Sequence, residues 1–272
     1  MTPAARAWLV GHGVPDPATI RRIPTATTAD LFVVDDLVLR WYGDVDFLIV
    51  EPDALEREVA ALTSLADTTV PAPRLVAWTE APPALLMTHL DGEHRSEPTD
   101  PAAVGALLDA IHRVEPGPLA RWSYRGYHEG VDLPPPAWWR DRSAWDRAVE
   151  VSSGGPPTYE PVVIHRDFHP GNLLWASEGI SGIVDWGNAC LGPAAFDLAH
   201  FRINLATLGG QAATDVAFPG DPSWDIEAAL GYLDPWSLEE RDAWVGPWPA
   251  VPPAVARERV ETFVAEALAA LG

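Results

Sequence analysis

The chain has 272 residues, 47% hydrophobic and 21% charged, enough to bury one large core or two joined lobes. A formal net charge of −21 argues against a nucleic-acid partner and tolerates a cationic one, most of the acidity being read as a solvated surface. No apolar run approaches the ~18 residues of a membrane span, the apolar part of the N-terminus is too short for a signal peptide, and the one cysteine, Cys190, can form no internal disulfide, so a cytoplasmic location is expected.

In chain order, Ile20 to Ile23, Asp30 to Val34 and Leu37 to Tyr42 read as three strands, the last two joined by a tight turn at Asp35-Asp36. Pro52 to Leu65 reads as a helix, with Leu55, Val59 and Leu62 at three- and four-residue spacing behind a proline start. Arg74 to Trp78 and Ala84 to Met87 add two strands, so residues 1–88 form a β-rich unit with one embedded helix. Beyond Met87 to Gly92 the pattern turns helical: Pro101 to Val114, Ala137 to Val149, Pro193 to Leu208, Trp224 to Leu233 and Pro253 to Leu271. The expected class is α+β, with a second unit over 89–272. All 18 basic residues are arginine, and the absence of lysine excludes a P-loop and Schiff-base chemistry.

The densest chemical signal is Ile164-His-Arg-Asp-Phe-His-Pro-Gly-Asn172, followed by Ile183-Val-Asp-Trp186. Two apolar runs around Ser177-Glu178-Gly179 predict a β-hairpin. A turn centred on Glu178-Gly179 sets Asn172 opposite Asp185, with Cα atoms roughly 4.5–5.5 Å apart. Both oxygens then reach one small cation site, and Asp167, on a loop bent by Pro170-Gly171, can aim its carboxylate at what the cation holds. Oxygen ligands for a hard ion beside a group that orients a hydroxyl proton are the parts phosphoryl transfer needs.

These residues resemble the catalytic loop of the protein kinase-like fold, and more closely its aminoglycoside phosphotransferase and choline kinase-like branch, since no Ala-Pro-Glu segment follows Asp185-Trp186-Gly187. The segment Val70-Pro-Ala-Pro-Arg74 is similar to a recurrent linker of that family. The resemblance implies two lobes, ATP or GTP as donor, magnesium, and a small hydroxyl-bearing acceptor. An aminoglycoside-like antibiotic comes first, with choline, amino alcohols, macrolides and sugars open. It implies Asp167 as the catalytic base or hydroxyl-orienting group, Asn172 and Asp185 as magnesium ligands, and Asp197 as a brace of the catalytic loop. Met87 and His89, in the hinge, then adjoin the nucleotide. His165 would fix the loop, and His169 would approach the transferred group. With lysine absent, the strand cation that clamps phosphates falls to Arg40, with Glu58 its better helix partner and Glu56 the alternative.

Other readings compete. Arg40 could be an edge-strand arginine in a surface pair; as the phosphate clamp it is expected to face a helix glutamate near solvent, so that its loss should cost little stability. The loop Pro24 to Asp30 has no glycine, so Thr25, Thr27 and Thr28 could donate to phosphates or simply form a turn. His165, Asp167 and His169 could alternate on a strand and hold a transition metal. His112 and His200, on apolar helix faces, read as satisfied core histidines. The 13 tryptophans read mainly as packing residues, with a few lining a groove beside Asp221, Asp225, Glu227, Glu239, Glu240 and Asp242 if those acids face an acceptor. A catalytically silent nucleotide-binding protein is the rival from another class.

Overall fold

The computed structural model describes residues 1–14, 19–23, 28–43, 47–95, 100–126, 128–130, 132–155, 157–209, 214, 218–233 and 251–272. Strands β1 (Ile20–Ile23), β2 (Asp30–Val34), β3 (Leu37–Trp41), β4 (Leu75–Glu80) and β5 (Pro83–Thr88) form an antiparallel sheet in the order β1-β2-β3-β5-β4. Val34 pairs with Leu37 across the Asp35-Asp36 turn, where Asp35 takes the positive φ of 53° that such hairpins require. Strand β3 is central, so Arg40 is not an edge residue.

The β-rich region holds more than one helix. Helix α1 (Pro3–Gly11) starts at Pro3, with the Thr2 hydroxyl accepting the Ala5 N–H, and lays Ala5 and Leu9 into a cluster with Phe32, Val34, Leu39 and Leu86 on one face of the sheet. A single-turn helix α2 (Phe47–Val50) precedes α3 (Ala54–Leu65). Asp53 does not cap α3; its carboxylate instead accepts the Trp122 indole N–H at 3.3 Å. Arg121 pairs with Glu56 at 3.4 Å and Ser64 donates to the Pro116 carbonyl at 2.8 Å. Helix α3 is thus tied to the second half of the chain along its length. One apolar cluster accordingly runs from Tyr42, Leu55, Leu85 and Met87 to Ile111, Phe168, Leu173 and Trp186.

The second half contains α4 (Pro101–His112), α5 (Arg142–Ser153), β6 (Pro161–Ile164), β7 (Leu173–Ala176), β8 (Gly179–Ile183), β9 (Cys190–Pro193), α6 (Ala194–Gly209), α7 (Pro222–Tyr232) and α8 (Pro253–Leu271). Helix α5 starts at Arg142 rather than Ala137, because Asp141 accepts the Ser143 and Ala144 N–H groups after a proline-rich approach. Its Trp145 joins Trp139, Trp224, Phe196 and Phe263 in a second core; Trp236, Trp244 and Trp248 lie outside the described residues. The β6–β9 ladder brackets residues 165–189, and the β7–β8 hairpin lies within that stretch.

The linker after β5 lies on that hairpin. Glu93 and Trp175 exchange two backbone hydrogen bonds of 2.9 Å, and Ser181 donates to the Asp91 carbonyl at 2.6 Å. Gly92 takes φ 148°, and a Cβ there would stand 2.4 Å from the Ser181 hydroxyl. Among the described residues no helix is long and apolar enough to cross a membrane.

Candidate active site

At the end of β6 the chain turns through Arg166, whose φ of 66° is unusual for a side-chain-bearing residue. The fully buried Asp197, in the first turn of α6, accepts the His165 N–H at 3.0 Å and the Arg166 N–H at 2.7 Å. His112 also meets Asp197, at 3.1 Å. Two main-chain donors therefore hold the turn that delivers Asp167. His165 is buried and donates Nε2–H to the Val184 carbonyl at 3.0 Å, linking this loop to the strand before Asp185. His169 accepts the Gly171 N–H on Nδ1 at 3.0 Å, which places its proton on Nε2, 3.7 Å from Asp167 Oδ1.

Asp167 is only a quarter exposed. Burial pushes its carboxyl up, but His169 and His200 more than reverse this and hold it well below the usual carboxylate range. Burial likewise pushes His169 down to about 4, against the pull of Asp167. At pH 7 the carboxylate is ionised and His169 neutral.

The hairpin register differs by one residue from the expected one. A two-residue turn pairs Ala176 with Gly179, and an irregularity between Leu174 and Trp175 shifts the ladder so that Leu173 pairs with Ile183. Asn172 is therefore matched with Val184, whose N–H donates to the Asn172 carbonyl at 3.0 Å, and not with Asp185. Asp185 still reaches Arg40, from a backbone that is left-handed, φ 67° and ψ 61°. Asn172 spends its amide nitrogen on the Asp167 carbonyl at 2.8 Å, which leaves the amide oxygen as the atom that could hold a metal. An amide oxygen and a one-third-exposed carboxylate suit a hard divalent cation completed by phosphate oxygens and water.

Arg40 joins the two halves. It is 4% exposed, its Nη1 donates to Asp185 Oδ1 at 2.9 Å, and its Nε lies 3.4 Å from Glu58 Oε2. Glu58 is completely buried, so the expectation of a glutamate near solvent is wrong; the solvent-facing partner is Glu56, which pairs with Arg121. The cause is helical phase: Glu58 shares the inward face of α3 with Leu55 and Leu62. Burial pushes the Glu58 carboxyl up to about 7, with Arg40 opposing and Asp185 reinforcing. The Tyr42 hydroxyl, which sequence reading missed, donates to Glu58 at 3.4 Å.

Met87 packs in the core shared with α3, and its main chain lies within ladders to β3 and β4. The His89 N–H is taken by the Asp36 carbonyl at 2.8 Å, and its ring lies 3.4 Å from Asp91. The transition-metal alternative fails on geometry: His165 and His169 point to different partners, and among the described residues no three His, Cys, Asp or Glu side chains are placed to hold a metal. Among the described residues, the groove acids Asp221, Asp225 and Glu227 are likewise engaged elsewhere. Asp225 is buried against Arg202 at 3.0 Å and Asp221 caps α7. Glu227 accepts from Tyr124 at 3.2 Å and Ser152 at 2.6 Å. Glu239, Glu240, Asp242, Thr25 and Thr27 lie outside the described residues. His200, read as a core residue, instead meets Asp167 at 3.1 Å. Its spacing of three from Asp197 on one helix was the available signal.

Comparison with known proteins bears on the family and the fold. Residues 19–244 match the phosphotransferase enzyme family, APH. A homoserine kinase of Pseudomonas aeruginosa is 31% identical over 130 residues, 44% of this chain and 41% of that protein, so the chain spans about two fifths of the curated relatives it matches. Aminoglycoside phosphotransferase APH(4)-Ia, solved as a ternary complex with ADP and hygromycin B, superposes with a TM-score of 0.65 at 15% identity, covering 97% of this chain and 98% of that one. A choline/ethanolamine kinase family protein from Mesorhizobium loti gives 0.62 at 15% identity, over 97% and 94% of the two chains. With the two-lobed kinase-like fold shared by these structures and the family match over most of its length, the chain belongs to the phosphotransferase enzyme family.

Proposed function

We propose that this protein transfers the γ-phosphoryl group of ATP or GTP to a hydroxyl of a small acceptor. The observation that carries the reading is that Arg40 meets Asp185 at 2.9 Å and Asn172 meets the Asp167 carbonyl at 2.8 Å, the two pairs being tied together by the 3.0 Å backbone bond from Val184 to Asn172. Asn172 and Asp185 would hold magnesium, which when bound neutralises phosphate charge and fixes the phosphates in line. Arg40, oriented by Glu58, would present a guanidinium fork to the phosphates after exchanging part of its contact with Asp185 for them. Asp167, already ionised, would accept a hydrogen bond from the acceptor hydroxyl and take its proton as the new P–O bond forms. Asp197 would keep the turn at His165-Arg166 in shape. Met87 would wall the base pocket, and the hinge beyond His89 would face the base edge.

An aminoglycoside-like polyol is the first acceptor class, supported by the fold and by the net charge of −21. An amino alcohol of homoserine type is favoured by the 31% match. Purified protein with magnesium and radiolabelled ATP or GTP, screened against aminoglycosides, homoserine, choline and sugars, should incorporate phosphate into one class. Calorimetric binding of magnesium-ATP with neither transfer nor slow hydrolysis would instead identify a silent nucleotide binder.

A further inference from the structure

Helix α6 contributes two side chains, Asp197 and His200, to the loop that carries Asp167. Asp197 holds the main chain of His165 and Arg166, while His200, one turn later and 7% exposed, reaches the Asp167 side chain. Its Nε2 donates to Asp167 Oδ1 at 3.1 Å. The other approaches to that carboxylate are longer: Asn172 Nδ2 lies 3.4 Å from Oδ2, and His169 Nε2 lies 3.7 Å from Oδ1. Neither is a full-strength hydrogen bond. The His200 ring is itself fixed, stacked on Phe196 with centroids 5.9 Å apart at 28°, and Phe196 packs on Tyr124 at 4.8 Å.

We propose that His200 is a positioning residue for phosphoryl transfer: its Nε2–H holds Oδ1 of Asp167 in one rotamer, leaving Oδ2 to take the acceptor hydroxyl. The proposal rests on the assignment of Asp167 above. A carboxylate on a turn has a soft terminal torsion, and a proton acceptor displaced by about 1 Å can cost up to about 100-fold in rate. A donor seated on a long helix removes that freedom. A packing role for His200 would need only a ring of the same size; positioning needs the N–H.

The test compares His200→Phe, which keeps the ring, with His200→Gln, which restores an N–H donor. Magnesium-dependent ATP hydrolysis is the assay, with water standing in for the acceptor. His200→Phe should lower kcat about 10- to 100-fold with KM for ATP and melting temperature near those of the parent, and His200→Gln should recover part of the loss. An active parent whose His200→Phe variant keeps its kcat, or is not rescued by glutamine, overturns the proposal. Long-range proton–nitrogen spectra of the nucleotide-free protein give a second measure. His200 should be the Nε2–H tautomer, with an Nε2 shift that moves in Asp167→Asn; an Nδ1–H tautomer, or no response, overturns it whatever the activity. A parent with no hydrolysis or transfer at all removes the phosphotransferase reading first, and any His200 contact seen by NMR is then structural only.

Discussion

At the residue scale the site is a set of charges that depend on one another. Asp185→Asn removes the charge of a proposed magnesium ligand but little packing, since the side chain is one-third exposed. Magnesium-dependent ATP binding measured by calorimetry should fall by more than about 100-fold, beyond the loss expected from a merely supporting contact, with the fold retained by circular dichroism. Asp167→Asn should lower kcat by about 10²–10⁴ with little change in ATP affinity, because its contact strengthens only as the hydroxyl proton moves. Arg40→Ala has two effects. KM for ATP should rise and kcat fall, and stability should drop by up to about 3–5 kcal/mol, because a buried carboxylate loses its cation. Glu58 is already pushed up to about 7 by burial. A group raised in the folded state contributes stability that is present below its unfolded value and lost as pH rises through the folded one. The Arg40→Ala deficit should therefore be small near pH 5 and grow toward pH 8 in thermal melts. Arg40→Lys should recover part of the activity. Arg40→Met with Glu58→Leu should regain stability and no activity, separating the two roles.

At the element scale, the joint between α5, α7 and the loop around residue 124 is sewn by one carboxylate. Glu227 on α7 accepts from Ser152 on α5 and from Tyr124, with His128 3.3 Å away. Burial pushes the Glu227 carboxyl up, and the hydrogen bonds from His128, Ser152 and Tyr124 more than offset it, so it lies below the ordinary value of 4.5. A depressed carboxylate contributes stability above its unfolded value and loses it as pH falls through the folded one. Glu227→Gln should consequently lower the melting temperature at pH 7 but flatten its decline below about pH 4.5. An unchanged acid limb would show that this joint does not respond to its charge.

At the whole-molecule scale, α3 and the hairpin linker close the two halves around one apolar cluster, while Cys190 lies in the second core, with Ile164 and Phe196, and reports on that half. The thiol is 2% exposed on β9, and burial pushes it up to about 12. Native protein should leave Cys190 unmodified by a thiol reagent for hours, with labelling keeping step with global unfolding in denaturant; fast labelling of folded protein would mean that β6–β9 opens locally. The sequence by itself determined strands β1 to β5, the β7–β8 hairpin, the longer helices and the α+β class, and it singled out the Ile164–Asn172 and Ile183–Trp186 motifs, because hydrophobic period, turn residues and proton- or metal-handling side chains are local signals. Together with the kinase-like resemblance, the absence of lysine pointed to Arg40 as the strand cation. Only the tertiary structure decided how those signals meet. The Asn172 register turned on a ladder irregularity no residue type announces, and α1 was overlooked because a short helix draws its stability from the sheet it covers. The depth of Glu58 and the reach of His200 to Asp167 depend on how α3 and α6 rotate against distant segments, a long-range packing choice that leaves no periodic trace along the chain.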